Sequence, residues 1–227
     1  MRISTFVASA LFVVGTSAAQ GAELTAETVS SWNRYVAHAM PRLHACAQDC
    51  GIGEPQGRTI EVAGGTIHHW RGSVLVSSRT VESVLSRLEW PGTPPPQEDV
   101  LESRVLSRSG PSLRVYLKLA RSAVVTVVYD TEHEVTFERR SPVLATSRSV
   151  STRIAETGGG DRGFLWRLNS YWRYVQQGKN VRIDLESVSL SRQIPSVAQL
   201  LVNPIVQRVA RESMERTLAS VKRFLES

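Results

Sequence analysis

The sequence has few of the residues that usually build redox, metal or nucleotide sites. It contains only two cysteines, and aromatic residues make up 7% of the chain. It has no Gly-x-Ser-x-Gly nucleophile motif, no zinc-ligand spacing and no phosphate-binding loop. The common signatures of hydrolases, zinc proteins and nucleotide-dependent enzymes are therefore missing, and we predict no catalytic residues, no metal site and no cofactor.

The two cysteines, Cys46 and Cys50, lie four positions apart. Disulfides are stable in an exported protein. Four-residue spacing on an unbroken helix fits bridging geometry poorly, so a bond requires the helix to unwind near Gly51. His44 and Asp49 lie close by, but the set matches no common zinc pattern. The bridged and the reduced form therefore both remain open.

Lysine is also scarce, because the chain has only Lys118, Lys179 and Lys222 among 27 basic residues. Arginine carries most of the charge, and residues 103–129 and 139–155 contain arginines but no acid. A local basic field of this kind favours an anionic membrane surface as a partner. Nucleic acid is not expected, since no DNA- or RNA-binding motif is present. Arginines that simply solvate outer sheet faces are the alternative.

Long hydrophobic runs are absent, and the longest stands at the N-terminus. Residues 1–22 contain Arg2, then a short apolar run, then small residues at 17–19. This pattern is typical of a secretory signal peptide, and the run is shorter than the roughly 20 residues of a membrane span. We therefore expect a periplasmic or secreted protein, with a signal peptide at 1–22, a helical extension at 23–57 and one domain at 58–227.

The remaining chain predicts an α+β fold. Helical spacing appears at 25–47 and at 78–88, where Thr80 is a suitable cap. Strands 58–62 and 66–76 flank the hairpin glycines Gly64 and Gly65. A proline-rich loop at 90–99 precedes strands at 100–108, 113–121, 124–129, 135–140, 143–156, 164–174 and 181–190. Short turns separate most of these strands, which indicates an antiparallel meander.

Residues 203–224 read as one amphipathic helix with an apolar face wide enough to cover the sheet. Asn203 is a suitable cap, and Pro204 fits the first turn. The middle of the apolar face carries four small residues: Ala210, Ser213, Thr217 and Ser220. They either leave a hollow above the helix or allow another backbone to approach closely, and the sequence leaves both open.

Two groups of strand side chains, the histidines with Trp70 and the pair of tryptophans, are compatible with either a packed core or the wall of a pocket. His68 and Trp70 share one face of their strand and His69 points to the other, but no carboxylate or nucleophile lies at a spacing that would orient either histidine. We therefore interpret both as structural. Trp166 and Trp172 share a face by the two-residue period, and such aromatics fill a core or line a pocket.

Several stretches resemble the START-like helix-grip superfamily, also called SRPBCC, which includes the birch pollen allergen and the polyketide cyclase-like proteins. They are residues 65–70, 163–173, 186–192, 194–195 and 211–213. The chain looks like an exported bacterial branch of that superfamily. The resemblance implies a curved antiparallel sheet wrapped around the long C-terminal helix, with an apolar pocket between them. The helix at 25–47 lies outside the resemblance.

The predicted function is a non-catalytic binding protein for a hydrophobic or lipid-like ligand. The candidate ligand-binding residues are His68, Trp70, Trp166, Trp172, Ala210, Ser213, Met214 and Thr217. One alternative is a cyclase or hydrolase of an apolar substrate, with His68, Glu102, Tyr116 or Arg153 as polar groups. A second alternative is an envelope interaction protein whose pocket is packed shut.

Overall fold

The computed structural model describes residues 24–45, 52–89, 99–122, 126–158, 162–193 and 196–227. The predicted signal peptide and both cysteines lie outside these residues. The helices are α1 (Ala26–Ala45), α2 (Val81–Leu88) and α3 (Ser196–Glu226). The strands are β1 (Gln56–Val62), β2 (Gly65–Val76), β3 (Val100–Ser109), β4 (Ser112–Ser122), β5 (Thr126–Ser141), β6 (Leu144–Glu156), β7 (Arg167–Gln177) and β8 (Asn180–Arg192).

The eight strands form one antiparallel sheet with the order β1-β2-β8-β7-β6-β5-β4-β3. Strands β3 to β8 follow one another as a meander, and the β1–β2 hairpin adds to β8. The hairpin turns after β1 and β7 contain Gly64 and Gly178, whose φ values of 66° and 58° are costly for residues with a side chain. The predicted α+β class and meander are confirmed.

Several predicted element boundaries are wrong, among them those of β5 and α3. Residues 124–129 and 135–140 were expected as separate strands, but β5 runs through both because Thr131 and His133 occupy inward positions in its middle. Polar side chains at inward positions interrupt the hydrophobic alternation, so the sequence pattern predicts the end of a strand there. The last helix starts at Ser196, so Asn203 does not cap it and Pro204 lies inside it, where it lacks a backbone donor.

Helix α2 begins as the sequence predicts. Thr80 Oγ1 accepts from Ser83 N at 3.1 Å, and Ser83 Oγ accepts from Thr80 N at 3.0 Å. This reciprocal capping box satisfies two of the free N–H groups at the helix start. It also fixes the angle at which Val81, Val84 and Leu85 enter the main core.

Helix α3 covers the inner face of the sheet, chiefly along β2. Met214 and Leu218 pack with Trp70 and Leu185, and Val221 and Leu225 join the main core. A Cβ at Gly72 of β2 would lie 3.0 Å from Leu218 Cδ1. The close approach of helix and strand therefore depends on a small residue in the strand as well as on those of the helix.

Helix α1 covers the outer face of the same strands. Trp32 of α1 packs with Ile67, Val188 and Leu190, which point away from α3. Strands β2 and β8 thus have a helix packed on each face. None of the helices in the described ranges is long and apolar enough to cross a membrane.

Candidate functional site

A row of three serines crosses the inner face of the central strands. Ser149 of β6 lies opposite Ser170 of β7, which lies opposite Ser187 of β8. All three are half-buried, although Asn169, Tyr171, Glu186 and Val188, their neighbours along β7 and β8, are buried on the outer face. We call these three residues the serine row. The inner face is therefore more open to solvent here than the outer face, which is unusual at the centre of a sheet.

Large apolar side chains border the serine row on the side nearest α3. On one side, Trp172 and Leu185 pack with Trp70, Met214 and Leu218 beneath α3. On the other side lie Leu168 and Ser189, which are also half-buried. We call this region, in which small half-buried residues adjoin large apolar ones, the inner hollow. Its composition suits an apolar molecule with a few hydrogen-bonding groups.

Two buried histidines border the inner hollow. His68 Nε2 lies 3.1 Å from Ser191 Oγ, and His133 lies 3.1 Å from Thr131 Oγ1 through Nε2 and 3.3 Å from Ser149 Oγ through Nδ1. Burial lowers the pKa of His68 and of His133 to about 4, because desolvation disfavours the charged ring. Both rings are therefore neutral at physiological pH and add polarity to the inner hollow without charge.

Asp99 connects α3 to the far half of the sheet. Its Oδ2 lies 2.7 Å from Arg121 Nη1 of β4 and 3.1 Å from Arg216 Nη2 of α3. The same oxygen accepts a hydrogen bond from Ser213 Oγ at 3.1 Å. We call these four residues the Asp99 cluster. Ser213 thus donates to a carboxylate, which explains a polar residue in the middle of the apolar face of α3.

We expect Asp99→Ala to lower the free energy of unfolding by about 2 kcal/mol, because it removes two ion pairs and leaves Arg121 and Arg216 without this carboxylate. Ser213→Ala removes one hydrogen bond to the same oxygen and should cost about 1 kcal/mol. Urea unfolding of both variants checks this. If Asp99→Ala is no worse than Ser213→Ala, the Asp99 cluster does not hold α3.

The structure brings together most, but not all, of the predicted ligand-binding residues. Trp70, Trp172, Met214 and Ala210 pack in one cluster. His68 is the residue next to Trp70 on the inner face of β2, and it lies opposite Ser189 of β8. Thr217 is half-buried on α3. Their role in ligand binding stays a prediction.

Trp166 is separate from the other candidates. It packs on the outer face with Trp32, Tyr171 and Leu190, and its backbone N–H donates to Leu190 O at 2.7 Å. The two-residue period placed it beside Trp172, but β7 starts only at Arg167. The chain before Arg167 is not extended strand, so alternation does not apply and that placement is wrong.

The sequence analysis missed a polar chain on the outer face. His69 Nδ1 lies 2.6 Å from Tyr35 Oη, and His69 Nε2 lies 3.2 Å from Glu186 Oε1. Arg58 Nη2 donates to Tyr35 Oη at 3.0 Å. A carboxylate therefore lies beside His69, although Nε2 makes no hydrogen bond to it. Tyr35, His69 and Glu186 come from three distant elements, so no spacing in the sequence could reveal them.

The residues considered for catalysis do not converge. His68 is on the inner face, whereas Tyr116 donates to Asp130 Oδ1 at 2.5 Å on the opposite face. Glu102 pairs with Arg104 at the sheet edge, and Arg153 lies 3.8 Å from Glu132. Within the described ranges, no group of three or more His, Cys, Asp or Glu residues could hold a metal ion.

Comparison with solved structures decides the fold. A STAR-related lipid transfer protein from Xanthomonas axonopodis aligns with a TM-score of 0.50 and 17% identity, over 75% of this chain and 99% of that one. Human StAR-related lipid transfer protein 5 aligns with a TM-score of 0.51 and 16% identity, over 86% of this chain and 97% of that one.

The chain has the START-like helix-grip fold. The curved sheet and the C-terminal helix match that fold, and α1 covers the outer face of the sheet. No protein-family model matches the sequence, and no curated protein is similar to it. At this level of identity the START-like comparison establishes architecture, so the role of the site has to be inferred from its own residues.

Proposed function

We propose that this protein is an exported, non-catalytic binding protein that holds a hydrophobic or lipid-like ligand in the inner hollow. The observation that carries the proposal is the serine row, whose small side chains are half-buried at the centre of the sheet. If α3 and the sheet enclosed only a packed core, we would expect large apolar residues at these positions, because protein interiors are close-packed.

The chemistry of the inner hollow supports an uncharged or weakly polar ligand body. Trp70 and Trp172 offer large apolar surfaces, while the serine hydroxyls and the neutral rings of His68 and His133 supply hydrogen bonds without charge. Burial of an apolar ligand there would be driven by about 25 cal/mol per Å² of apolar surface removed from water. The two START-like neighbours are named as lipid transfer proteins, which agrees with a ligand of this class.

Export is the second element of the proposal, and it rests on the pattern at residues 1–22. An anionic membrane surface remains the expected partner for the basic segments. Several of their arginines are paired on the protein itself, such as Arg139 with Glu82 and Glu89. Arg108 is exposed without such a pair in the described residues and is better placed to meet a membrane.

The alternative is an enzyme that acts on an apolar substrate. The ring nitrogens of His68 and His133 face hydroxyl groups, and a histidine that acts as general base is usually oriented by a carboxylate. A pKa of about 4 also leaves each ring a weak base at neutral pH. Within the inner hollow, these observations favour binding over catalysis.

Filling the inner hollow tests the proposal. We expect Ser187→Leu to change the free energy of unfolding by less than about 1 kcal/mol, because the added carbons enter the inner hollow, and to abolish binding of an uncharged apolar fluorescent probe such as N-phenyl-1-naphthylamine. In a closed core the same change would force strain of about 1–3 kcal/mol. A thermal melt and a probe titration measure both effects.

The matched control is Ser86→Leu, which places the same side chain on the exposed face of α2. It should leave probe binding unchanged. Strong destabilisation by Ser187→Leu, together with a wild-type protein that binds no probe, would support the alternative of an envelope protein with a closed pocket.

A further inference from the structure

A second cleft lies on the outer face, on the side of the sheet away from the inner hollow. It has a volume of about 390 Å³ and is lined by α1, β6 and β7. Ten residues form its walls: Trp32, Asn33, Val36, Ala37, Arg148, Val150, Ser151, Arg167, Asn169 and Tyr171. We call it the outer cleft. Its volume is within the range of small-molecule sites, roughly 300–1,000 Å³.

The outer cleft exists because β6 and β7 diverge. Their pairing runs from Leu144 and Val175 to Val150 and Asn169 and then stops, although β6 continues to Glu156 and β7 begins at Arg167. Ser151 Oγ accepts from Leu168 N at 3.0 Å and ties the strands together at this point. The gap is therefore a defined feature of the sheet, and α1 forms its second wall.

Both charged residues that line the outer cleft are positive. Arg148 and Arg167 line it, and no acidic residue does. Arg167 Nη1 donates only to the neighbouring backbone oxygen of Trp166, at 3.2 Å, and neither arginine has an acidic partner in the described part of the chain. Two guanidinium groups in the wall of one cleft favour an anionic ligand. Glu186 lies opposite Tyr171 on β8, but it contacts His69 and is not part of the wall.

A buried donor faces the same cleft. Tyr171 and Asn169 are only 2% and 4% exposed, and Asn169 Nδ2 donates to Tyr171 Oη at 3.0 Å. The Tyr171 hydroxyl thereby accepts a hydrogen bond, but its own proton has no acceptor among the residues that the structure describes. Buried donors are normally satisfied. Burial also raises the pKa of Tyr171, so the hydroxyl keeps its proton at neutral pH.

Most of the remaining wall is apolar, although Asn33 of α1 also lines it. Trp32, Val36 and Val150 line the side of the outer cleft formed by α1 and β6. A ligand that fits must therefore present an oxyanion to the arginines and the tyrosine, and a short apolar group to Trp32. A flat membrane surface does not fit, because Asn169 and Tyr171 are too deeply buried to reach it.

We propose that the outer cleft binds a small amphipathic oxyanion, a carboxylate or a phosphate monoester, with Arg148 and Arg167 supplying the charge and Tyr171 donating a hydrogen bond. The ligand is free in solution and does not occupy the inner hollow. The site is independent of the function proposed above, since it uses other residues on the opposite face of the sheet.

The test uses hexyl phosphate and hexanoate as probes and 1-hexanol as their uncharged analogue, followed by ¹⁵N NMR of the folded chain. We expect the side-chain amide of Asn169 and the indole N–H of Trp32 to shift, and the indole N–H of Trp172 in the inner hollow to stay unchanged. At least one of the two anions should bind about tenfold or more tightly than 1-hexanol, because a charged hydrogen bond contributes that much or more.

Variants separate the proposed site from general charge effects. Arg148→Gln and Arg167→Gln should each weaken anion binding about tenfold, and Tyr171→Phe should weaken it several-fold without changing the charge. The matched control is Arg108→Gln, an exposed arginine at the end of β3, which should change binding by less than about twofold. A thermal melt confirms that each variant folds.

Four results would overturn the proposal. Absence of binding by either anion at 10 mM (about 100 times a typical physiological ligand level) would remove the site. Shifts at Trp172 in place of Asn169 would assign the binding to the inner hollow. Equal weakening by Arg108→Gln would show a general charge effect. The fourth result concerns sedimentation of the protein with phosphatidylcholine–phosphatidylglycerol vesicles. If Arg148→Gln abolishes this sedimentation but does not weaken binding of hexyl phosphate, Arg148 binds lipid headgroups.

Discussion

Asp184→Asn should lower the free energy of unfolding by about 3–5 kcal/mol, one of the two largest effects that we expect from this structure. Asp184 is fully buried, and its oxygens lie 3.1 Å from Arg173 Nη1 and 2.8 Å from Arg182 Nε. Arg173 is 1% exposed, so loss of the carboxylate charge leaves a guanidinium in the interior with no neutralising partner at that position. Urea unfolding measures the loss.

Two further variants distinguish an uncompensated charge from general disruption of the fold. Glu212→Gln neutralises an exposed carboxylate that pairs with Arg208 and Arg216 at 3.7 and 3.8 Å, and should cost less than about 0.5 kcal/mol. The double variant Arg173→Met with Asp184→Leu removes both buried charges and should be more stable than Asp184→Asn. Equal losses for Asp184→Asn and Glu212→Gln would contradict the assigned role of the buried pair.

Acid should destabilise the protein through the two buried histidines of the inner face. Their pKa is about 4 in the folded protein and about 6.5 in the unfolded chain. The unfolded chain therefore binds more protons between these values, so stability is fully present above pH 6.5 and falls as the pH drops toward 4. Each histidine contributes up to about 3 kcal/mol to this loss.

Chemical unfolding at several pH values between 4 and 7 measures this slope. The double variant His68→Gln with His133→Gln should lose most of the pH dependence that histidines cause in this range. His38→Gln is the matched control, since His38 is exposed on α1 and should leave the slope nearly unchanged. A double variant with the wild-type slope would mean that other groups cause the acid sensitivity.

Much of the fold was predictable because local patterns agree with it. The cap at Thr80, the hairpin glycines before β2 and the alternation of Leu113, Val115 and Leu119 each specify a local conformation through short-range physics. The long last helix was predicted from its apolar face, but its start was not. The helix already runs from Ser196 to Asn203 before it reaches Pro204, and Pro204 had been interpreted as a residue of the first turn.

The site was less predictable because its members lie far apart in the chain. Ser149, Ser170 and Ser187 form the serine row only through the pairing of three strands, and a lone serine in a strand carries no signal. Ser213 was predicted to line a hollow or a close contact, but its hydroxyl has a partner in Asp99, 114 positions away. Single-strand periodicity also failed at Trp166, where the extended strand has not yet begun.

The most direct test of ligand binding in the inner hollow is the content of the purified protein. The chain should be expressed with residues 1–22, purified from the exported fraction without detergent and analysed by native mass spectrometry, followed by solvent extraction. The account predicts an apolar molecule bound close to one per chain in the wild type and lost in Ser187→Leu, but retained in Ser86→Leu. Wild-type protein that carries no apolar molecule and takes up none from a lipid extract would contradict it.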